Sequence, residues 1–388
     1  MAKELAFAII NPYTIAKSRT GGILARYIGR TQLDLVAARM FQPSRELADA
    51  YAKLILEAEH ASPELRQLLS DYVRRSYGPD PITGRPRRAM FLLFEGEDAY
   101  QKIWDVTGGM APNEITGQTI RDTFGDYVLD ESKKVQYFEP AVMVAREAGA
   151  GAAALKLWAR HATSDGGICA GATDVAQGGS VQRTLVLLKP DNFRFRSLRP
   201  GNIVDLLSRS GLRIVAVKKF NMTVAQAEQF YGPVLDVLES KFEKIGGKRV
   251  AESFLREFEF EVPADVLKEI CQKLGRTFAL SQFERIVQFM TGFKPSEVAL
   301  AERPNSGREE CFALVYQGPD AVRTIRQILG PTDPSQAEPG SVRREFGSDI
   351  MVNAAHASDS PENAQREMNI IDVAEDTIGR WVTQYYGA

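Results

Sequence analysis

Cysteine, histidine and tryptophan are scarce, with three of each in 388 residues. Cys169, Cys271 and Cys311 stand far apart and form no CxxC pair. That spacing indicates neither a disulfide framework nor a thiolate zinc site, and it fits a reducing compartment. No apolar run approaches the roughly 18 residues of a membrane span. The apolar start Leu5–Ile10 is stopped by Asn11-Pro12, too early for a secretory h-region. A soluble, cytoplasmic chain with no membrane partner is expected. An excess of charge of one sign is missing as well: the formal net charge is −2. This argues against nucleic acid as a partner held by a global field, and it leaves room for a local cationic cluster around a smaller anion. No Walker A motif occurs, because GGKRV at 246–250 has neither the upstream Gly nor the following Ser/Thr. GAGAAA at Gly149–Ala154 fits a dinucleotide pattern but belongs to no βαβ unit, and reads as linker.

Apolar residues make up 44% and charged residues 25%, ordinary for a globular chain long enough for two domains. The strongest feature is an internal repeat. LAFAIINPYTIAKSRTGGILARYIG near the start and RTLVLLKPDNFRFRSLRPGNIVDLL from Arg183 both give an apolar strand, a residue plus Pro, a polar loop and a helix. The match resumes without a gap where DAYQKIWDVTGGM, from Asp98, pairs with DAVRTIRQILGPT, from Asp320, and continues to Phe124-Gly125 and Phe346-Gly347. The expected organisation is a first copy over 1–147, a helix and Ala/Gly-rich linker over 148–181, and a second copy over 182–388. Two charged amphipathic helices form an insertion in the second copy at about 233–276. The fold class is α+β: two tandem ferredoxin-like βαββαβ units with antiparallel sheets, plus the helical insertion.

Chemistry concentrates in the second copy. NAAHASDSP, Asn353–Pro361, places His356 beside Ser358 and Asp359, with Glu367 where a following helix can return a carboxylate to the ring. A neutral imidazole attacks phosphorus at neutral pH and leaves again readily. Lys189 ends the strand of LVLLKPD, Arg326 and Arg343 offer planar forks for phosphate oxygens, and Thr332 and Asn353 add neutral donors.

LVLLKPD, LGPTDP, PGSVRREFG and NAAHASDS, in this order, resemble the nucleoside diphosphate kinase family. The last motif is that family's active-site signature. The resemblance covers about 182–371 apart from the insertion and, more weakly, 5–144. It implies that His356 is the phosphohistidine nucleophile, supported by Glu367 and Ser358. It also implies that Lys189, Arg326, Thr332, Arg343 and Asn353 hold the nucleotide's phosphates and sugar. Tyr231, in AQAEQFY, matches the tyrosine beside the catalytic ring, and Phe283, with Phe278 as the other choice, is the base-stacking aromatic. ATP and nucleoside diphosphates are the implied partners, with Mg2+ held mainly by the nucleotide phosphates. Family members assemble as dimers and higher oligomers; here an intrachain pseudo-dimer and a homo-oligomer are both open.

The first copy departs at the positions that matter. Asn11 stands opposite Lys189, Trp104 opposite Arg326 and Met110 opposite Thr332, while only Arg121, opposite Arg343, is retained. The position of His356 falls at or near Tyr137, in KKVQYFEP, and no histidine lies between His60 and His161. A catalytically dead first copy is expected. Two functions follow: a nucleoside diphosphate kinase working by ping-pong transfer, or a nucleotide-binding regulator that passes phosphate from His356 to a protein.

Overall fold

In Leu5–Ile10 every side chain is apolar, and both faces of the strand they form are covered. The strand Glu4–Ile10 runs antiparallel between Ala89–Gly96 and Val142–Val144, and Asp34–Phe41 completes a four-stranded sheet. Successive strand residues point to opposite faces. Ala6, Ala8 and Ile10 enter one core, and Leu5, Phe7 and Ile9 a second one built with Phe91 and Trp158. Burial on both faces explains a continuous apolar run where a half-exposed strand would alternate. The computed structural model describes residues 2–58, 61–110, 117–132, 134–175 and 181–387. The chain divides into two compact units, Met1–Phe220 with Phe312–Ala388, and Asn221–Cys311.

A second sheet has the strand order Ala355–Ala357, Val181–Leu188, Glu310–Pro319, Arg213–Asn221. Numbered by appearance, both sheets read 4-1-3-2, the ferredoxin-like order. The fold is therefore α+β with antiparallel sheets, as the sequence predicts. The two sheets also share their unusual backbone positions. Asp98 and Asp320 take left-handed φ of 53° and 48°, Gly108 and Gly330 86° and 83°, and Ala141 and Ala354 62° and 69°.

The helices Thr20–Arg30 and Arg199–Ser208, each following the first strand of its sheet, lie against one another at glycines. A Cβ on Gly201 would stand 2.2 Å from the Ala25 nitrogen and 2.4 Å from the Gly21 carbonyl oxygen. Both obstacles are backbone, so no side chain can turn aside to make room. Gly201→Ala is expected to cost at least about 2 kcal/mol through overpacking. Thermal unfolding should show a clearly lowered Tm, and an unchanged Tm would mean that the helices do not touch this closely.

The segment assigned to a linker is built into the fold. Its helix spans Ala148–Arg160 and buries Trp158 edge-on to Phe41 at 4.9 Å. Beyond it, Gly166 bridges to Phe41 and the Cys169 amide donates to Val215 O at 2.8 Å. The Ala and Gly content that reads as flexibility here permits close packing; Ala176–Ser180 lie outside the described residues. The last helix, Thr377–Tyr386, packs Ile378 and Val382 into the core of the first sheet, although it follows the second in sequence. Arg39 and Lys218, at matching places on the two sheets, donate to backbone oxygens just ahead of that helix: Arg39 to Ala374 and Glu375, Lys218 to Ile371 and Asp372.

In the unit Asn221–Cys311, helix Val224–Tyr231 opens on a capping box between Thr223 and Gln226. A helical hairpin of Val234–Phe258 and Ala264–Thr291 follows. The second helix runs well past Arg276, where the sequence predicts the insertion to end. The helix continues because no Gly or Pro that could stop it occurs between Arg276 and Gly292, which terminates it with φ 83°.

Candidate active site

His356 is placed by strand alternation. It stands opposite Leu187 in register, between Ala355 and Ala357, which enter the core shared by the two sheets. The imidazole therefore projects from the other face. There Nε2 lies 2.9 Å from Oε2 of Glu367, carried back by helix Pro361–Ile370, and the Ser358 hydroxyl donates to the same oxygen at 2.7 Å. Glu367 and Ser358 are buried, while the imidazole is partly exposed. A buried carboxylate as acceptor favours the tautomer with hydrogen on Nε2 and the reactive lone pair on Nδ1.

The turn before this strand joins two more expected residues. Lys189 Nζ donates to Asn353 Oδ1 at 2.8 Å and to Met351 O at 2.9 Å. The Asn353 amide in turn donates to Thr332 O at 3.0 Å and Ile350 O at 2.8 Å. Arg326, Thr332 and Arg343 line one cleft of about 270 Å³ with Ala357, the neighbour of His356. Arg343 crosses the cleft's base, donating to Gly330 O at 2.9 Å and Ala355 O at 3.0 Å. Its burial, and then the like charge of Arg326, pull its pKa down to about 10. It stays cationic at neutral pH. The structure thus brings together Lys189, Arg326, Thr332, Arg343, Asn353, His356, Ser358 and Glu367. Tyr231 and Phe283 lie in the other compact unit, Tyr231 buried and Phe283 half-buried. Phe278 is committed to packing, its ring 4.6 Å from that of Phe242.

Asn192 is a residue the sequence reading passed over. Buried, it donates from Nδ2 to Ala354 O at 2.6 Å and to Lys189 O at 2.9 Å, and so ties the turn before His356 to the end of strand Val181–Leu188. Thr14 makes the equivalent bond in the first sheet, Oγ1 to Ala141 O at 2.9 Å. The shared three-residue spacing after Asn11 and Lys189 was the available signal.

The first sheet repeats the frame with other chemistry. Asn11 N donates to Ala141 O as Lys189 N does to Ala354 O, at 3.1 and 3.0 Å. Arg121 bridges Gly108 O and Val142 O as Arg343 bridges Gly330 O and Ala355 O. These pairings put Met143, not Tyr137, in the register of His356. Asp126–Leu129 and Val135–Glu139 pair as antiparallel strands where the second sheet has only 348–352, and Tyr137 lies on the second of these strands. The end of that strand supplies Glu139, which accepts from Asn11 at 3.1 Å and from Tyr72 at 2.7 Å, and which burial pushes up from the usual carboxylate range. A carboxyl group thus replaces the Lys189–Asn353 pair, and the Trp104 ring covers the Arg121 guanidinium at 5.5 Å. Phosphate would find no cradle there.

Comparison with known proteins decides the family. A family model described as nucleoside diphosphate kinase matches residues 182–242 and 294–375. The nucleoside diphosphate kinase of Kosmotoga olearia is 30% identical over 190 residues, covering 49% of this chain and 88% of that protein. The chain belongs to the nucleoside diphosphate kinase family. The nucleoside diphosphate kinase of Persephonella marina is 31% identical over 189 residues, 49% of this chain and 91% of that one. A crystal structure of Aquifex aeolicus nucleoside diphosphate kinase has 29% identity over 50% of this chain and 95% of its own, with a TM-score of 0.31. The family match leaves out 243–293, later than the insertion expected at 233–276, and the gap contains both Phe278 and Phe283. Among the described residues no helix is long and apolar enough to cross a membrane.

Proposed function

We propose that the chain is a nucleoside diphosphate kinase that carries the phosphoryl group on His356. The observation that supports this best is the 2.9 Å contact from His356 Nε2 to Glu367 beside a cleft walled by Arg326, Thr332 and Arg343. Nδ1 would attack the terminal phosphorus of ATP, the bond to the bridging oxygen would break, and ADP would leave. A second nucleoside diphosphate would then attack the phosphohistidine through its terminal oxygen, restoring the imidazole. Catalysis by positioning and charge neutralisation suits a phosphoryl group passing through a loose transition state. Lys189, Arg326 and Arg343 would meet the phosphate charge, Asn353 and Thr332 the remaining oxygens and sugar. The roles of Tyr231 and of the base-stacking Phe283 rest on the family resemblance alone. Cationic and neutral donors suit an anion rather than a bare cation, so Mg2+ would be held through the nucleotide's own phosphates, screening their charge. We further read the two sheets as a duplicated domain with one working site, in a cytoplasmic protein.

The test is labelling with γ-32P ATP followed by a chase with GDP or CDP. Rapid transfer of label to the diphosphate is expected. Label that remains on the protein would sink the kinase reading in favour of a regulator or a relay to another protein. A companion variant probes the first sheet. Met143→His in a His356→Ala background should yield no labelled protein, because Glu139 and Trp104 stand where phosphate and cations are needed. Appreciable acid-labile label on residue 143 would contradict the one-site model.

A further inference from the structure

We propose that the N-terminal half carries a second ligand site, a cavity that takes a small molecule bearing both phosphate and a planar ring. The cavity encloses about 750 Å³, within the range typical of small-molecule sites. Arg75, Arg85, Arg87 and Arg213 stand in its wall with Tyr13 and Tyr137. Asn11, Trp104, Met110 and Arg121, the counterparts of the catalytic cleft, are not among its lining residues. Glu139, which stands in place of the Lys189–Asn353 pair, does line it, so the cavity borders the place equivalent to the second sheet's cleft and opens away from Trp104 and Arg121. Its wall comes mainly from helix Pro63–Ser76, the segment 80–88 and strand Val135–Glu139, closed by Tyr13 on one side and Arg213 on another.

The charges do not all cancel. Arg87 pairs with Asp80 at 2.9 Å, and Arg213 holds Asp174 through Nε at 2.8 Å and Nη2 at 3.2 Å. Buried Arg88 is turned to the carbonyl of Ile214. Of the remaining carboxyl groups, Asp71 accepts from Gln67 at 2.9 Å, and Glu139 is enclosed by Tyr72 and Asn11. The guanidinium groups of Arg75 and Arg85 have no hydrogen-bond or ion-pair partner among the described residues. Two such forks are the groups that recognise phosphate oxygens bidentately. Tyr137 is 43% exposed, unusual for so large a ring, and it lines the cavity together with Tyr13. Two tyrosines in one wall offer aromatic surface on which a planar ring can stack. Phosphate at the arginines and a ring on the tyrosines would use every feature left unsatisfied.

The probes are radiolabelled ADP, inorganic pyrophosphate and adenosine, in equilibrium dialysis against the full chain. Two equivalents of ADP are expected on the wild type and one on Arg75→Ala/Arg85→Ala, whose second equivalent should bind at least tenfold more weakly. Pyrophosphate should displace the second equivalent and adenosine should not. Tyr137→Ala should weaken ADP there without affecting pyrophosphate. Exchange turnover at saturating substrate should stay within about twofold in both variants, and circular dichroism should confirm that they fold, since the substituted side chains are exposed. The proposal is overturned if ADP binds with one equivalent to the wild type, or if the arginine variant keeps two. Loss of pyrophosphate binding alone, with ADP unchanged, would equally overturn it, as an adventitious anion contact.

Discussion

His356→Ala should reduce phosphotransfer by more than about 10³-fold while leaving ADP affinity within a few-fold of wild type. On the proposed mechanism the substitution removes the covalent nucleophile and with it the route through the phosphoenzyme, while the imidazole would add little ground-state affinity. Lys189 remains fixed by Asn353 and Met351, and Arg343 by Gly330 and Ala355, so the proposed phosphate cradle does not depend on the ring. Ser358 still donates to Glu367, which keeps that buried carboxylate partnered. The measurement is γ-32P exchange together with the chemistry of the label. Wild-type phosphoprotein should be labile in acid and stable in alkali, as a phosphoramidate is, and the variant should carry none. Retention of a tenth of wild-type exchange would place the nucleophile elsewhere.

The second large effect comes from a matched pair of arginines. Arg343→Ala should lower turnover by roughly 10²–10³-fold, as loss of one preorganised donor does when its contact strengthens in the transition state. Arg121→Ala should leave the turnover of folded protein within about twofold. Both bridge two backbone carbonyls, so both substitutions should destabilise the fold by about 2–4 kcal/mol from orphaned buried acceptors and lower Tm accordingly. Only Arg343 borders an open cleft, whereas Arg121 is 5% exposed beneath an indole. Measuring stability and turnover on each variant separates the two roles. Equal turnover losses would show that the first sheet takes part in catalysis.

Much of the site was legible because its residues are close in sequence to strand ends. LVLLKPD announces a strand, a stop and a lysine, and the eleven-residue step from His356 to Glu367 is one turn and most of a helix. What was not legible depends on contacts between distant segments. The sequence puts the counterpart of His356 at or near Tyr137 because the repeat gives no sign that Asp126–Leu129 and Val135–Glu139 pair with each other; only strand register reveals Met143. The last helix lies on the first sheet because Ile378 and Val382 find their core there, and an amphipathic pattern names no partner. Asn192 escaped notice for the opposite reason: a polar residue in a turn is usually surface, and its burial follows from the left-handed Ala354 whose carbonyl it holds.

The close meeting of helices Thr20–Arg30 and Arg199–Ser208 joins two parts of one polypeptide. An association between separate subunits weakens on dilution, because partners must find each other from solution. Here the intervening chain sets the local concentration, and that does not fall as the protein is diluted. The Tm should therefore be the same at nanomolar and micromolar protein as far as this contact governs it. The two halves are also present in fixed one-to-one ratio, so one half can give up its chemistry without any molecule being assembled from two inactive parts.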